Sequence, residues 1–595
     1  MIKTIGLRLF VCCVIVVGLL MASCAPTAVE EEGKTVTGKV VEKEAPKVEE
    51  EEKEEVVPEE KGPVYGSTLT LYIVGNTLHG FVPAGEGPSS TGCYPVYDAL
   101  IKEDITKGPQ GTNEATFDGS HTALDFFTGA LAERWEQTDL TTIIFHIRKG
   151  VHFQNKQPVY GREVTADDVV YSFSKFLEES RGRFYKPPST PPEKLQQWTA
   201  LDKYTVQVKL PWPDVFVLRE IGRDIVVMPH EIEDEYGNFE DWRNACGTGP
   251  FIVTDVVTGS SISYVRNPDC WEHDPRYPEN RLPYVDGMKL LLIPDAATVL
   301  AALRTGKIDS TFTSWSDAES LMKSNPELNY RAKSGSSGIL IWFRSDVEPF
   351  SNVAVRRALT MAIDQEEIAR DIYKGHAKIH FYPVQASDGP CYVPLEELPT
   401  SQRELFEYHP DKAKQLLTDA GYPPGSLKLQ VTCTVYPAEM PDLVSLIASY
   451  WERIGIKTEI TVLEWASWYA YALGHRYPNM AIASQSIGNP SYRFTLQYMP
   501  GESLNLSVVN DPYIVETWKE IQTITDVHEQ NEKIKELSLY AIDQAYYPNI
   551  VAQDVYAFWQ PWLKGYAGET YIGRFANTLG FTTYAWIDKD LKQKR

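Results

Sequence analysis

Residues that could perform chemistry are plentiful in this chain of 595 residues, but their spacing forms no catalytic motif. No GxxxxGK stretch followed by Ser or Thr is present, so the sequence lacks the loop that cradles nucleotide phosphates. Gly247–Pro250 lacks the third glycine of a dinucleotide-binding loop, and Gly335–Gly338 misses the spacing of a serine-nucleophile turn by one residue. His230 and Glu231 are not followed by the second histidine of a zinc-protease helix. The sequence therefore predicts a protein that is not an enzyme and uses no cofactor and no metal.

Charge and composition exclude a further class of function. Acidic residues number 81 and basic residues 57, which gives a formal net charge of −24. Binding to nucleic acid needs a basic surface that neutralises phosphates, so no nucleic-acid partner is expected. Carboxylate pairs, which glycoside hydrolysis requires, occur as often as chance predicts among so many acids. The 11 histidines are scattered, and each is expected at the surface or in the core.

The first 23 residues have the pattern of a secretory signal peptide. Lys3 and Arg8 precede 14 apolar or glycine residues from Leu9 to Ala22, a run too short to cross a bilayer but typical of a signal-peptide core. Ser23 and Cys24 then complete a pattern that resembles the lipobox of bacterial lipoproteins, with Met21 where that family usually has Leu. The resemblance implies cleavage before Cys24 and lipid attachment to it, which would anchor the protein to a membrane.

Residues 24–63 are predicted to be a disordered acidic tether. Between Glu30 and Lys61 there are 13 Glu and 6 Lys but almost no large apolar side chains. Such a segment cannot bury enough surface to offset the entropy that it would lose on ordering. The folded body of the chain is therefore expected to begin after residue 63.

Five of the eight cysteines lie in that body, and an exported protein can form disulfides. The sequence does not give a pairing among Cys93, Cys246, Cys270, Cys391 and Cys433. The favoured interpretation is a set of buried free thiols with at most one or two bridges.

The body predicts strands that alternate with helices, which indicates the α/β class with largely parallel sheets. Strands are expected at Leu69–Val74, Thr141–Arg148, Thr205–Leu210, Lys289–Ile293, Leu427–Val435, Ile456–Val462 and Ile550–Phe558, with a hairpin over Phe251–Arg266. Helices are expected after the capping residue Thr165 and at Asp295–Thr305, Val353–Arg370, Asp411–Ala420, Pro441–Ile454 and Gln530–Tyr546.

Three segments in order resemble the signature of family 5 of the extracellular solute-binding proteins: Leu131–Glu136 (LAERWE), Ile144–Phe153 (IFHIRKGVHF) and Val164–Phe173 (VTADDVVYSF). Members of this family include the peptide and nickel receptors of ABC importers. Further blocks follow in the family's order, at Gly247–Phe251, Arg266–Trp271, Leu282–Gly287, Leu303–Asp309, Val355–Asp364, Tyr373–Gly375, His409–Ala413, Ile454–Ile456 and Trp562–Tyr566. The chain is therefore identified as a member of the family over roughly residues 66–585.

The resemblance implies a bilobed periplasmic-binding-protein fold of the α/β class, with hinge-linked lobes and an extra subdomain in lobe I. Lobe I is expected to comprise 66–94, 223–310 and 555–595, the subdomain 95–222, and lobe II 311–554. Chain crossings near Asp309–Ser314 and Asp554–Phe558 would form the hinge. A solute that contacts both lobes at once would drive their closure.

The solute is left open between two classes. In the family's peptide receptors an Asp of lobe II, in a W-x-x-D pattern, pairs with the amino terminus of the peptide. The corresponding stretch here, Ile482–Pro490, holds no carboxylate, and this absence favours an oligosaccharide or another neutral solute. The frequency of peptide receptors in the family favours a peptide instead. The residues expected to contact the solute in the cleft are Trp315, Trp468, Ser486, Asn489 and Tyr556.

Taken together, these patterns predict a monomeric, lipid-anchored, extracytoplasmic solute-binding receptor of an ABC importer. It would deliver its solute, a peptide or an oligosaccharide, to permease subunits in the membrane, with peptide uptake favoured. Two readings from other classes stay open, namely an exported hydrolase tethered to the cell surface and a regulatory or chaperone-like binder built on the same clamp.

Overall fold

The computed structural model describes residues 62–73, 81–83, 91–118, 124–178, 197–333, 337–379, 383–486, 489–502, 504–570, 572 and 579–594. The predicted signal peptide, Cys24 and all but the last two residues of the predicted tether lie outside these ranges. Residues 62–595 form one compact unit, and the account below concerns that unit alone.

Strands and helices alternate through the described part of the chain. The strands up to residue 292 are β1 (Thr68–Ile73), β2 (Ile101–Glu103), β3 (Phe127–Gly129), β4 (Ala132–Asp139), β5 (Thr142–Ile147), β6 (Gln197–Asp202), β7 (Thr205–Lys209), β8 (Phe251–Val257), β9 (Ser261–Arg266), β10 (His273–Asp274), β11 (Tyr277–Arg281) and β12 (Gly287–Leu292). The later strands are β13 (Ser310–Ser314), β14 (Asn329–Lys333), β15 (Ser337–Phe343), β16 (Ala377–Lys378), β17 (Lys428–Thr434), β18 (Lys457–Leu463), β19 (Met480–Ser486), β20 (Asn549–Gln553), β21 (Val555–Trp559), β22 (Leu563–Lys564) and β23 (Trp586–Ile587).

The helices are α1 (Ala166–Glu178), α2 (Val217–Asp224), α3 (Glu231–Tyr236), α4 (Ala296–Arg304), α5 (Trp315–Ser324), α6 (Val353–Met361), α7 (Gln365–Glu367), α8 (Thr400–Arg403), α9 (Pro410–Asp419), α10 (Met440–Arg453), α11 (Trp465–Leu473), α12 (Pro490–Arg493), α13 (Pro512–Ile521), α14 (Val527–Gln544) and α15 (Lys589–Gln593). Among the described helices, none combines the length and the apolar character that crossing a bilayer needs.

Local signals explain where several of these elements begin and end. Thr165 precedes α1, and its backbone N–H donates to Asp168 Oδ2 at 2.8 Å, one half of a capping box. Asp295 caps α4 by accepting a hydrogen bond from the backbone N–H of Thr298. The helix ends before Gly306, whose φ of +68° a residue with a Cβ rarely adopts. The predicted hairpin is confirmed as β8 and β9, which pair antiparallel.

The strands form four main sheets. The first sheet has the order β1-β12-β9-β8, the second β4-β5-β7-β6, the third β13-β21-β14, and the fourth, the six-stranded sheet, β16-β20-β15-β19-β17-β18. Within these sheets only three pairs, β1 with β12, β17 with β18 and β17 with β19, are parallel. The expectation of largely parallel sheets is therefore wrong, because most neighbouring strands pair antiparallel, several of them through short hairpins.

Two of the predicted elements, one helix and one strand, are each divided into two elements in the structure. The helix expected over Val353–Arg370 ends at Met361, and Asp364 caps a new short helix by accepting from the backbone N–H of Glu367. The strand expected over Ile550–Phe558 is two strands, β20 and β21, which lie in different sheets and are divided at Asp554. Neither run contains a Gly or a Pro at the break, so the sequence carries no strong local signal that would divide it.

Buried apolar side chains gather in three cores. The first core runs from Leu69 to Leu290 and takes in Ala557–Ile587 from the end of the chain. The second core, Ile339–Val551, surrounds the six-stranded sheet. The third core joins Ile293–Leu328 with Tyr556 and Phe558 around the three-stranded sheet. The five cysteines Cys93, Cys246, Cys270, Cys391 and Cys433 are all buried and unbridged, which confirms the free-thiol interpretation without any disulfide.

Candidate functional site

The strands of the six-stranded sheet turn at one common edge. β17, β18 and β19 run parallel, whereas β15 runs antiparallel to β19 and β20. The edge at which β15 begins is therefore the edge at which β17, β18, β19 and β20 end. We call it the turning edge. Loops that follow the carboxyl ends of strands are the usual place for a ligand site in an α/β fold.

The chain also passes between sheets at the turning edge. It leaves the three-stranded sheet at Lys333, the end of β14, and enters the six-stranded sheet with Ser337 at the start of β15. It returns at Asp554, between the end of β20 and the start of β21. The segment Asp309–Ser314, where the first crossing between lobes was expected, contains β13, which pairs with β21 in the three-stranded sheet.

Three side chains meet beside these crossings, and we call them the junction: Trp315, His376 and Tyr556. The rings of Trp315 and His376 stack with centroids 5.3 Å apart and planes at 8°. His376 Nδ1 lies 2.8 Å from the hydroxyl of Tyr556. Because Trp315 begins α5 and Tyr556 lies on β21, His376 attaches the loop before β16 to the three-stranded sheet.

Asp554 adds a carboxylate to the junction. Its backbone N–H donates to the carbonyl of His376 at 2.8 Å. Burial raises the pKa of the Asp554 carboxyl, although Lys378 and His376 act in the opposite direction. One oxygen of the carboxylate, Oδ1, is buried and has no hydrogen-bond partner within the described residues.

A second aromatic group leads inward from the turning edge, and we call it the aromatic row: Trp465, Trp468 and Trp342. Trp465 follows the end of β18 and is 44% exposed. Its ring stacks on Trp468 at 5.5 Å, and Trp468 in turn packs against Trp342 of β15, also at 5.5 Å. Trp468 is only 2% exposed, and the described residues provide no partner for its Nε1–H. The row thus offers one exposed indole face supported by a buried one.

Away from the crossings, residues 214–219 touch the second core, and we call them the bridging segment. The ring of Phe216 stacks on Trp518 of α13 with centroids 5.3 Å apart and planes at 11°. Phe216 packs against the second core, whereas its neighbours Val217 and Leu218 belong to the first. The segment therefore connects the two large cores through side chains.

Polar contacts accompany this stack. The backbone N–H of Val215 donates to the carbonyl of Gln522 at 3.1 Å, and Gln522 Nε2 donates to Asp214 Oδ2 at 3.0 Å. Arg219 reaches Ser491 Oγ of α12 at 3.3 Å. Burial raises the pKa of the Asp214 carboxyl to about 6, against the hydrogen bonds that it accepts from Phe216 and Gln522.

Comparison with known proteins identifies the class to which this arrangement belongs. The model of the bacterial extracellular solute-binding proteins, family 5 (middle part), matches residues 127–504, which is more than half of the chain. The chain belongs to family 5 of these solute-binding proteins. The match takes in Trp315 and His376 of the junction and the whole aromatic row.

Curated relatives agree with the family. The chain is 31% identical over 358 residues to heme-binding protein A of Haemophilus influenzae, in a match that covers 57% of this chain and 62% of that protein. It is 26% identical over 360 residues to the dipeptide-binding protein of Escherichia coli, covering 57% of this chain and 64% of that protein. The chain thus spans slightly less than two thirds of the length of these two relatives.

Solved structures of family members show the same fold. The oligopeptide-binding protein AppA of Bacillus subtilis, in complex with a nonapeptide, superimposes with a TM-score of 0.68 at 20% identity, covering 89% of this chain and 100% of that one. The periplasmic binding protein DppA of Helicobacter pylori, in complex with a peptide, gives a TM-score of 0.67 at 21% identity, covering 88% and 98%. The expected bilobed α/β fold of a periplasmic binding protein is therefore confirmed.

The five predicted contact residues of this solute-binding protein fall into two groups. Trp315 and Tyr556 meet through His376 at the junction. Trp468 belongs to the second core, and Ser486 ends β19 with a side chain outside the described set. Asn489 caps α12, because its Oδ1 accepts from the backbone N–H of Tyr492 at 2.6 Å. No described contact joins the second group to the first, so the set as a whole stays a prediction.

Sequence reasoning missed three residues of the turning edge. His376 is one of 11 scattered histidines, and its partner Tyr556 lies 180 positions away. Gln485 and Asn549 are ordinary polar residues, and only the structure shows that Gln485 Oε1 and the whole Asn549 carboxamide are buried without partners among the described residues. Within the described residues no group of three or more His, Cys, Asp or Glu side chains could hold a metal.

Proposed function

We propose that this protein is the extracytoplasmic receptor of an ABC importer, that it binds a peptide between its two lobes and that it presents the peptide to membrane permease subunits without catalysing a reaction. The observation that carries the proposal is the family match over residues 127–504. Several relatives in that family are named as dipeptide- or oligopeptide-binding proteins, which supports a peptide as the solute.

The lobes are proposed to follow the boundaries expected from the sequence. Lobe I would comprise 66–94, 223–310 and 555–595 with the subdomain 95–222, and lobe II would comprise 311–554. In support, the second core lies wholly between Ile339 and Val551. The third core combines Ile293–Leu328 with Tyr556 and Phe558, so it would form the base from which the lobes move. The solute would then lie at the turning edge, against Trp315, Trp468, Ser486, Asn489 and Tyr556.

A neutral solute such as an oligosaccharide is the second candidate. Ile482–Pro490 contains no carboxylate that could pair with a peptide's amino group. Trp465, 44% exposed and supported by Trp468, offers the flat apolar face on which a sugar ring can stack. This feature favours an uncharged ring-bearing ligand but does not by itself exclude a peptide side chain.

The receptor function is tested by recovering and then titrating the solute. Full-length protein is analysed by native mass spectrometry, and tryptophan fluorescence is titrated with di- to tetrapeptides and with oligosaccharides. Saturable quenching by peptides with no product formed is expected. Trp465→Ala should weaken binding, whereas Trp212→Ala, a 43% exposed tryptophan next to the bridging segment, should not. Turnover of the added compounds would contradict the receptor function, and saturation by oligosaccharides alone would assign the second solute class.

We propose separately that the protein is a monomer and that a lipid on Cys24 anchors it to a membrane. The proposal is supported by the basic start, the short apolar run and the Ser23-Cys24 pair. Expressed in a bacterial host, Cys24→Ala should appear in the soluble extracytoplasmic fraction, while Cys12→Ala, in the signal run, should stay with the membranes. Equal membrane retention of both variants would contradict the lipid anchor.

A further inference from the structure

Gly338, Gln485 and Asn549 lie on three adjacent strands of the six-stranded sheet, close to the turning edge. Gly338 is the second residue of β15, and Gln485 of β19 is its partner in the antiparallel register. Asn549 begins β20 on the other side of β15, where it pairs with Leu340. Gly338 and Leu340 point to the same face of the sheet because side chains alternate along a strand. We call these three residues the amide pocket.

The glycine at position 338 makes room for the side chain of Asn549. A Cβ on Gly338 would lie 2.4 Å from Asn549 Oδ1 and 2.8 Å from its Nδ2, closer than real contacts allow. Gly338 is not among the residues with positive φ, so the backbone does not demand a glycine here. The absence of a side chain at position 338 therefore makes room for the carboxamide of Asn549.

That carboxamide has no hydrogen-bond partner among the described residues. Asn549 is 1% exposed, yet neither its Nδ2 nor its Oδ1 forms a hydrogen bond within the described residues. Gln485 Oε1 is likewise buried, and the described part of the chain provides no partner for it. Folded proteins rarely leave buried donors and acceptors unpaired, because each such group loses its water without compensation. Among the described residues, these groups leave one amide nitrogen with its two N–H donors and two acceptor oxygens without hydrogen bonds.

The chemistry of these groups selects an uncharged partner. A carboxamide presents a donor and an acceptor side by side, which is complementary to an amide group, and Gln485 adds a second acceptor for an N–H. No carboxylate is available from Ile482–Pro490 to neutralise an ammonium. Asp554 lies between β20 and β21, where its backbone N–H donates to the carbonyl of His376.

We propose that Gly338, Gln485 and Asn549 form a subsite for an uncharged amide group of the solute, so that an N-acylated peptide binds more tightly than the same peptide with a free amino terminus. This inference rests on the proposed receptor function and deepens it. It accounts for a peptide receptor whose Ile482–Pro490 stretch lacks a counter-ion for the amino group.

Calorimetric titration with matched peptides tests the subsite. Tripeptides that differ only in N-terminal acetylation are titrated into the full-length protein, and the acetylated form should bind at least tenfold more tightly. Asn549→Leu should lower the affinity for the acetylated form about tenfold and bring the two affinities together. Asn549→Asp, nearly identical in shape, should reverse the preference towards the free ammonium. Gly338→Ala, which displaces the carboxamide, should act like Asn549→Leu.

Controls separate the subsite from general damage. Asn479 lies just before β19, at the opposite end of the strand, where its Oδ1 accepts from the backbone N–H of Gln430. Asn479→Leu should therefore leave the acetylation preference intact. Thermal unfolding followed by circular dichroism identifies any variant that fails to fold, and Asn549→Asp is the variant least affected by a change of volume.

Each outcome decides a different question. If wild type binds both peptides equally, or if Asn549→Asp leaves the preference unchanged, ordered water alone fills the pocket and the subsite is refuted. If no peptide binds in either form, the proposed peptide function fails. Glucosamine oligomers with and without N-acetylation then test the subsite directly, with the same preference expected. Absence of any acetyl preference among those sugars overturns the inference as well.

Discussion

At the junction, the chain itself passes twice between the three-stranded and six-stranded sheets, at Lys333–Ser337 and at Asp554. His376 only adds a ring stack and a hydrogen bond to a connection that is already covalent. At the bridging segment the first and second cores meet with no such crossing. There the contact consists of the Phe216–Trp518 stack and the hydrogen bonds of Asp214, Val215 and Arg219.

Under the proposed lobe boundaries, this difference predicts where the free energy of lobe closure resides. Rotation about a hinge preserves the contacts of the residues at the hinge and breaks those far from it. The junction should therefore persist in open and closed forms, whereas the contacts of the bridging segment should exist only in the closed form. Substitutions in the two regions should separate stability of the lobes from the equilibrium between open and closed states.

The largest loss of stability is expected from a substitution in α12, the helix whose Ser491 Oγ contacts Arg219 of the bridging segment. Arg493, at the end of α12, is fully buried and lies 2.7 Å from Asp388 Oδ2. Burial nevertheless raises the pKa of the Asp388 carboxyl, even though Arg493 acts in the opposite direction. Arg493→Met would leave that carboxylate buried without its partner and should lower the free energy of unfolding by about 3–5 kcal/mol. Urea denaturation followed by circular dichroism measures the change.

Two further variants interpret that loss. Adding Asp388→Leu to Arg493→Met removes the unpaired charge and should recover most of the stability. Arg370→Met disrupts the pair of Arg370 with Asp371 on the surface, where both side chains are largely exposed, and should leave the urea midpoint unchanged. Equal losses of unfolding free energy in Arg493→Met and Arg370→Met would show that the buried ion pair of Arg493 has no special role in stability.

A smaller effect, and one specific to closure, is expected from Phe216→Ala. The half-buried ring would lose its stack on Trp518, which should weaken closure by about 2 kcal/mol because less apolar surface is buried than in a full core truncation. Small-angle scattering of the protein with its solute bound should show a larger radius of gyration than in wild type.

The junction provides the matched control for Phe216→Ala. His376→Phe keeps an aromatic ring against Trp315 and removes only the hydrogen bond to Tyr556. It should cost about 1 kcal/mol of stability and leave the scattering profile as in wild type. A radius of gyration that rises for His376→Phe but not for Phe216→Ala would reverse the roles assigned to the two regions.

Much of the fold was predictable from local sequence patterns. The predicted helix after Thr165 and the hairpin over Phe251–Arg266 are confirmed, because a cap and a turn are encoded within a few residues. The division of Ile550–Phe558 at Asp554 was not predicted, because a strand-like run without Gly or Pro gives no sign that its two halves enter different sheets. The prediction of largely parallel sheets was wrong because strand pairing depends on residues far apart in the chain.

The candidate site was predicted less completely than the fold. The order of the family's blocks correctly placed the chain in its family, and Trp315 and Tyr556 do meet at one place. Their meeting depends on His376, and the amide pocket depends on a glycine and two amides from three strands. No spacing in the sequence brings residues 338, 485 and 549 together. The unmet hydrogen bonds of Gln485 and Asn549 among the described residues arise because the fold buries these groups.

The smallest effect, and the one that depends on pH, is expected from Asp214 in the bridging segment. Its pKa is raised by burial to about 6 in the assembled structure, whereas an exposed Asp has a pKa near 4. The assembled state therefore binds the proton more strongly. The closed form is favoured fully below about pH 4, and this advantage is lost as the pH rises through about 6. Because the side chain is only half-buried, the loss should amount to about 1 kcal/mol.

Asp214→Asn tests this dependence while keeping the shape of the side chain. Its Oδ1 can still accept from the backbone N–H of Phe216, and the Gln522 amide can turn to offer its oxygen to the new amide group. At pH 7.5 the variant should bind solute several-fold more tightly than wild type, and this difference should shrink as the pH falls to 4.5. Glu502, whose carboxyl has a pKa raised by burial to about 7, is the matched control, because Glu502→Gln should leave the difference between wild type and Asp214→Asn unchanged. A wild-type affinity that stays constant from pH 4.5 to 7.5 would show that Asp214 is not buried anew on closure, and that the bridging segment, like the junction, is in place before the solute arrives.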